Sequence, residues 1–154
     1  MKKNFFSALL LSAVIFFPSC GGDSASRVND VIVAKVEKVS GLMDKAMDYI
    51  GDDDYDNALL YLDSVSIHIK ESEPIISSLN NKSAEELKKV TLEYLTSFND
   101  GVADYKQAIQ LYQSEDFNNA NTLINDFIKK IDEKFKEAQK AQVDFAKANN
   151  IILR

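Results

Sequence analysis

Cysteine, histidine and tryptophan are almost missing from this chain: its 154 residues include one cysteine, one histidine and no tryptophan. A single thiol cannot close an intrachain disulfide or build a cysteine zinc site. A single imidazole leaves nucleophile–histidine catalysis only one possible base. With 2 prolines and 5 glycines, the chain also lacks the turn residues that a sandwich or barrel needs at its corners. Basic residues number 18 against 24 acidic ones, for a net charge of -6. A nucleic-acid partner, held through clustered Lys and Arg, is therefore excluded. What remains is 45% apolar and 27% charged, enough to pack one helical domain and too little chain for two cores.

The amino terminus departs from that composition. Lys2 and Lys3 precede an apolar run from Phe5 to Phe17. Those 13 residues fall short of the roughly 20 that span a bilayer as a helix, and their order is that of a secretory signal. The run ends at Pro18-Ser19-Cys20-Gly21-Gly22. This stretch resembles the lipobox of bacterial lipoproteins. The resemblance implies cleavage before Cys20, a thioether from its sulfur to diacylglycerol, and acylation of its freed amine. An ordinary secretory signal is the other reading, and it leaves the position of the one thiol unexplained. Each buried methylene adds about 0.8 kcal/mol, so several acyl chains hold a protein where one does so only marginally. The expected division is a signal peptide over residues 1–19, a lipidated cysteine with a flexible tether over 20–26, and a helical body over 27–154. Cleavage would leave 16 basic against 24 acidic residues, a net charge of -8, so anionic headgroups would repel the body and the lipid alone would hold it.

Beyond Arg27, apolar residues recur at steps of three and four. Ile32, Val36, Val39, Met43, Ala46 and Ile50 form one stripe, which ends at Gly51; Asp52-Asp53-Asp54 then offers caps for the next helix. A second stripe runs through Ala58, Leu62, Val65, Ile69, Ser72, Ile76 and Leu79. Its phase continues through Pro74, predicting a kink there, with a break as the alternative. Ser83-Ala84-Glu85-Glu86 reads as a capping box opening a third helix. Leu87, Leu95, Phe98, Val102, Tyr105, Ile109 and Tyr112 continue in phase across Gly101, which predicts a glycine inside the helix and a neighbour in close approach. In the fourth helix Ile124, Ile131, Ala138, Phe145 and Ile152 recur every seven residues, with Phe117, Phe127, Ile128 and Phe135 widening the face.

The two hairpins match at an offset of 62 residues: Asp54-Tyr55-Asp56-Asn57-Ala58 aligns with Asp116-Phe117-Asn118-Asn119-Ala120. Two copies that cannot bury their stripes alone predict an all-α, up-down-up-down four-helix bundle. The aromatic-x-x-Ala junction resembles that of tetratricopeptide repeats, but the 34-residue period of those repeats is not present.

Few residues carry chemistry. Asp52, Asp54 and Asp56 alternate as in a calcium loop, yet Asn57 stands where its glycine belongs and Asp63 where its bidentate Glu belongs; a solvated cap is the expectation. His68, with Met43 or Met47 across the first hairpin, could in principle ligate a non-covalent haem. Tyr49, Tyr55, Tyr112 and Phe117 flank the two turns and are expected to staple them. Lys129-Lys130 reads as a solvated face balanced by Asp132 and Glu133. No catalytic constellation emerges, so no enzyme, cofactor or metal site is expected.

In its signal segment, its lone Cys20 and its two-hairpin body, the chain resembles small envelope lipoproteins of Bacteroides-type and spirochaete families. That resemblance implies a lipid-anchored, non-enzymatic module for protein contact or assembly in a bacterial envelope. The outer membrane is the expected site, on its periplasmic or its surface face. A carrier of an apolar or haem-like ligand is the rival expectation.

Overall fold

The computed structural model describes residues 22–153. Four helices follow in order: α1 (Ala25–Gly51), α2 (Tyr55–Ser78), α3 (Glu85–Gln113) and α4 (Phe117–Ala148), with a 3-10 turn (Lys82–Ala84) ahead of α3. No strand occurs among the described residues. Short turns make consecutive helices antiparallel, and the result is the all-α four-helix bundle that the periodicity predicts.

The predicted stripes are the core. Val39, Met43 and Ala46 of α1, Ala58, Leu62 and Val65 of α2, and Leu95 and Phe98 of α3 are wholly shielded from solvent. On α4, Phe127, Ile131 and Phe145 are buried, while Ile124, Phe135 and Ala138 pack at the margin. Burying each large side chain of this kind contributes about 1.5–3 kcal/mol. The seven-residue repeat stops short of expectation: α4 ends at Ala148, and Ile152 lies beyond it, largely exposed. Phe117, at the first position of α4, is 54% exposed instead of widening the buried face.

Each turn is capped in the same way. Asp54 accepts hydrogen bonds from the Asn57 backbone N–H (3.2 Å) and side-chain amide (2.7 Å). Asp116 does the same with Asn119 (3.4 and 2.7 Å). In both turns the residue before the cap takes a positive φ, Asp53 at 57° and Glu115 at 63°. The offset of 62 residues thus holds in the backbone as well as in the sequence.

One pair of positions differs between the copies in a compensating way. Val39 and Val65 are both fully buried in the first hairpin; at the offset of 62 their counterparts are Gly101 and Phe127. A Cβ on Gly101 would fall inside the Phe127 ring. The glycine is there for the close approach that the unbroken phase implies. Phe127 meets Phe98 and Tyr105 edge to face, at 5.7 and 5.3 Å between centroids, a favoured aromatic geometry.

The helix α2 runs unbroken through Pro74, which removes the alternative of a break there; the proline is exposed and near the last turn, where a missing backbone N–H is tolerated more easily than at mid-helix. Two local expectations change. The capping box at Ser83 does not form. Asn81 caps the 3-10 turn through the Ser83 N–H (3.0 Å), and α3 then starts behind Ala84 without a side-chain cap. Finally, α1 begins at Ala25 with Ser24 as its cap, two residues ahead of the boundary expected at Arg27.

Candidate functional site

Antiparallel order places the first turn (residues 52–54) and the second (114–116) at one end of the bundle. The start of α1, the α2–α3 connection and the end of α4 share the other. The two ends have different chemistry.

At the terminal end the chain is tied down as soon as it is described. The Asp23 N–H donates to the Asn80 carbonyl (2.9 Å), the Asp23 carboxylate accepts from the Asn80 N–H (2.8 Å), and the Asn81 amide donates to the Asp23 carbonyl (2.9 Å). Arg27 pairs with the same carboxylate at 3.2 Å. Asp23 to Ser26 therefore belong to the folded body, and the segment expected as a tether over 20–26 is shortened by these bonds. Cys20 itself, the predicted lipidation residue, lies outside the described residues, as does the signal segment.

Two buried polar contacts at this end were not foreseen. The Gln142 amide of α4 donates to Asn29 Oδ1 of α1 at 3.0 Å, with both side chains almost fully shielded. The Lys88 ammonium, also buried, donates to the Leu79 carbonyl (2.8 Å) and pairs with Glu85 (2.8 Å). It supplies the C-terminal cation that the last turn of α2 lacks. A lysine on a stripe margin gives no sequence signal for such a contact.

At the turn end aromatic rings join the hairpins. Tyr55 and Tyr112 stack nearly parallel (7°, centroids 6.4 Å apart), and Tyr112 meets Phe117 at 6.1 Å. Tyr49 stacks on Tyr61 at 5.4 Å, with the Lys45 ammonium over the Tyr61 ring. The expected staples are present, although Phe117 is open to solvent. The Tyr55 hydroxyl donates to Asp53 and the Tyr112 hydroxyl to Asn121.

The remaining candidates resolve simply. Among the described residues, no group of three or more His, Cys, Asp or Glu could hold a metal. Asp54 is a cap, and Asp52 and Asp56 are exposed. His68 is on α2. Burial lowers its pKa from the usual 6.5, Lys35 and Lys38 lower it further, and Glu71, 3.8 Å from Nδ1, opposes them. Its Nε2 is buried without a partner. Met43 is sealed in the core, and the Met47 sulfur accepts a hydrogen bond from Tyr105 (3.6 Å). Lys129 and Lys130 pair with Asp126 (3.6 Å) and Asp100 (3.5 Å), not with Asp132 and Glu133.

A void of about 10 Å³ lies beside Ile32, Thr91, Tyr94 and Gln142, the lower limit for one water. A surface groove of about 650 Å³ runs past Lys88, Leu92, Thr96 and Lys134. Lys134 pairs there with Glu93 (3.3 Å) and Glu137 (2.7 Å), and Lys88 with Glu85 (2.8 Å), while Lys89 on the same groove is exposed.

No protein-family model matches this chain, and no curated protein or solved structure matches it either.

Proposed function

We propose that the protein is a lipid-anchored envelope lipoprotein, held through Cys20, whose helical bundle serves as a non-enzymatic module for contact with another protein. The observation that carries this reading is the single thiol at the end of a short, positively headed apolar segment. Its favoured site is the outer membrane. Geometry supports the reading: the bundle begins at Ala25, five residues after Cys20, at the end opposite the aromatic turns. An anchor there would hold the terminal end near the lipid and carry the turn end outward. At about 1.5 Å per residue, the helices would present that end some 40 Å from the surface if they stood upright. No described helix is long and apolar enough to cross a membrane, so attachment would depend on the acyl chains.

The carrier reading has less behind it: the described void beside Ile32, Thr91, Tyr94 and Gln142 is near the size of one water. Fractionation of cells expressing the Cys20→Ser form tests the proposal: the substituted protein is expected in the soluble fraction with its helicity unchanged, and membrane retention equal to that of the parent would reject the anchor.

A further inference from the structure

The turn end carries an exposed aromatic face, and the charges around it say what would cover it. Phe117 is 54% exposed, and it continues the Tyr55–Tyr112 stack at 6.1 Å. The two turns that carry these rings also hold Asp52, Asp53, Asp54, Asp56, Glu115 and Asp116, and Asp53 accepts a hydrogen bond from the Tyr55 hydroxyl. Among the described residues, none of the six is paired with a lysine or arginine.

Asp54, Asp56 and Asp116 serve the starts of α2 and α4, but Asp52, Asp53 and Glu115 are placed against local preference. Residues at the end of a helix are best cationic, because the last carbonyls carry negative charge, yet α1 and α3 have no basic residue in their last turns. Asp52 and Asp53 follow α1, and Glu115 follows α3. Asp53 and Glu115 also occupy the positive-φ positions, where glycine is the least costly residue. Both copies of the turn therefore keep a carboxylate where stability would favour glycine or a cation. Sites where local rules fail are where function is expected.

A model for the missing partner exists a turn away. Lys45 lies 5.4 Å from the centroid of Tyr61, on the Tyr49–Tyr61 stack. The Tyr55–Tyr112–Phe117 row has comparable rings and more surrounding acid, with no such cation over it among the described residues.

Resting on the reading of this bundle as a protein-contact module, we infer that the turn end docks a cationic protein segment. Its arginine or lysine side chains would lie on Phe117 and the Tyr55–Tyr112 stack, with their charges facing Asp52 and Asp56. Arginine suits the site best, since its planar group stacks on aromatic faces and bonds carboxylates.

The test uses the full chain in detergent micelles and a fluorescent peptide alternating arginine and glycine, at about 0.15 M salt, where long-range attraction is screened. Anisotropy is expected to report binding that weakens about fivefold in Phe117→Ser and roughly tenfold in Asp52→Asn/Asp56→Asn. Glu86→Gln/Glu133→Gln removes two exposed charges elsewhere and is expected to leave affinity within about twofold. Circular dichroism confirms that each variant is folded. Equal weakening by the remote pair, an unaffected Phe117→Ser, or no binding at all would overturn the inference. The titration is independent of Cys20: loss of the anchor would appear in fractionation while peptide binding persisted.

Discussion

Gly101 carries the sharpest constraint on any single residue. Alanine is about 1 kcal/mol better than glycine inside a helix, so propensity alone predicts that Gly101→Ala stabilises. The Phe127 ring reverses the sign, because a Cβ at Gly101 has no room. Overpacking of this kind costs about 1–3 kcal/mol, and a net loss is expected in urea denaturation. The first hairpin supplies the remedy: Gly101→Val combined with Phe127→Val copies its Val39 and Val65, and should recover most of the loss. A double variant no more stable than Gly101→Ala would break the argument from duplication. His68 gives a second prediction. Its folded-state pKa lies below 6.5, so the unfolded chain binds the proton more readily between those two values. Stability from this group is complete above the unfolded pKa and declines as pH falls toward the folded one. Denaturation midpoints at about pH 5 and pH 7 should therefore differ more in the parent than in His68→Gln; equal differences would show that His68 is not the group involved.

Among the elements, the two caps give a matched pair of measurements. Asp54 and Asp116 make the same two bonds to Asn57 and Asn119, so Asp54→Ala and Asp116→Ala should each cost about 1 kcal/mol, within a few tenths of each other. A large cost at one turn alone would mean that the copies are not equivalent. The first cap was legible in the sequence because Asp52-Asp53-Asp54 precedes a new apolar phase, and the second follows from the match of Asp116 to Asp54 at the offset of 62. The stripes were legible because helical periodicity survives Pro74 and Gly101, the two residues most apt to hide it. The start of α3 was misread: Ser83 has the right spacing for a capping box, but Asn81 competes successfully for its N–H and takes its hydroxyl as well (2.7 Å). At the end of α4, Asn149 accepts the helix stop and leaves Ile152 outside. Such choices depend on neighbours brought together by folding, which spacing alone does not encode. The Asn29–Gln142 bond is the plainest case, since it joins residues 113 apart.

For the molecule as a whole, the bundle is polarised from end to end. Hydrogen bonds around Asp23, Asn80 and Asn81 bind one end together, beside the place where the chain leaves for Cys20. Stacked rings, and acids with no lysine or arginine partner among the described residues, make up the other. The aromatic residues were recognised in the sequence as staples, but their exposure was not, because a ring on a helix stripe gives the same pattern whether it lies within the core or at its rim. The account depends most on the proposed anchor, since presentation of the turn end away from a membrane requires the opposite end to be held there. The direct measurement is mass spectrometry of the amino-terminal peptide from protein extracted from membranes. The account predicts a peptide that begins at Cys20 and carries diacylglycerol on its sulfur; a peptide with an unmodified Cys20 thiol, or one that begins elsewhere, would contradict it.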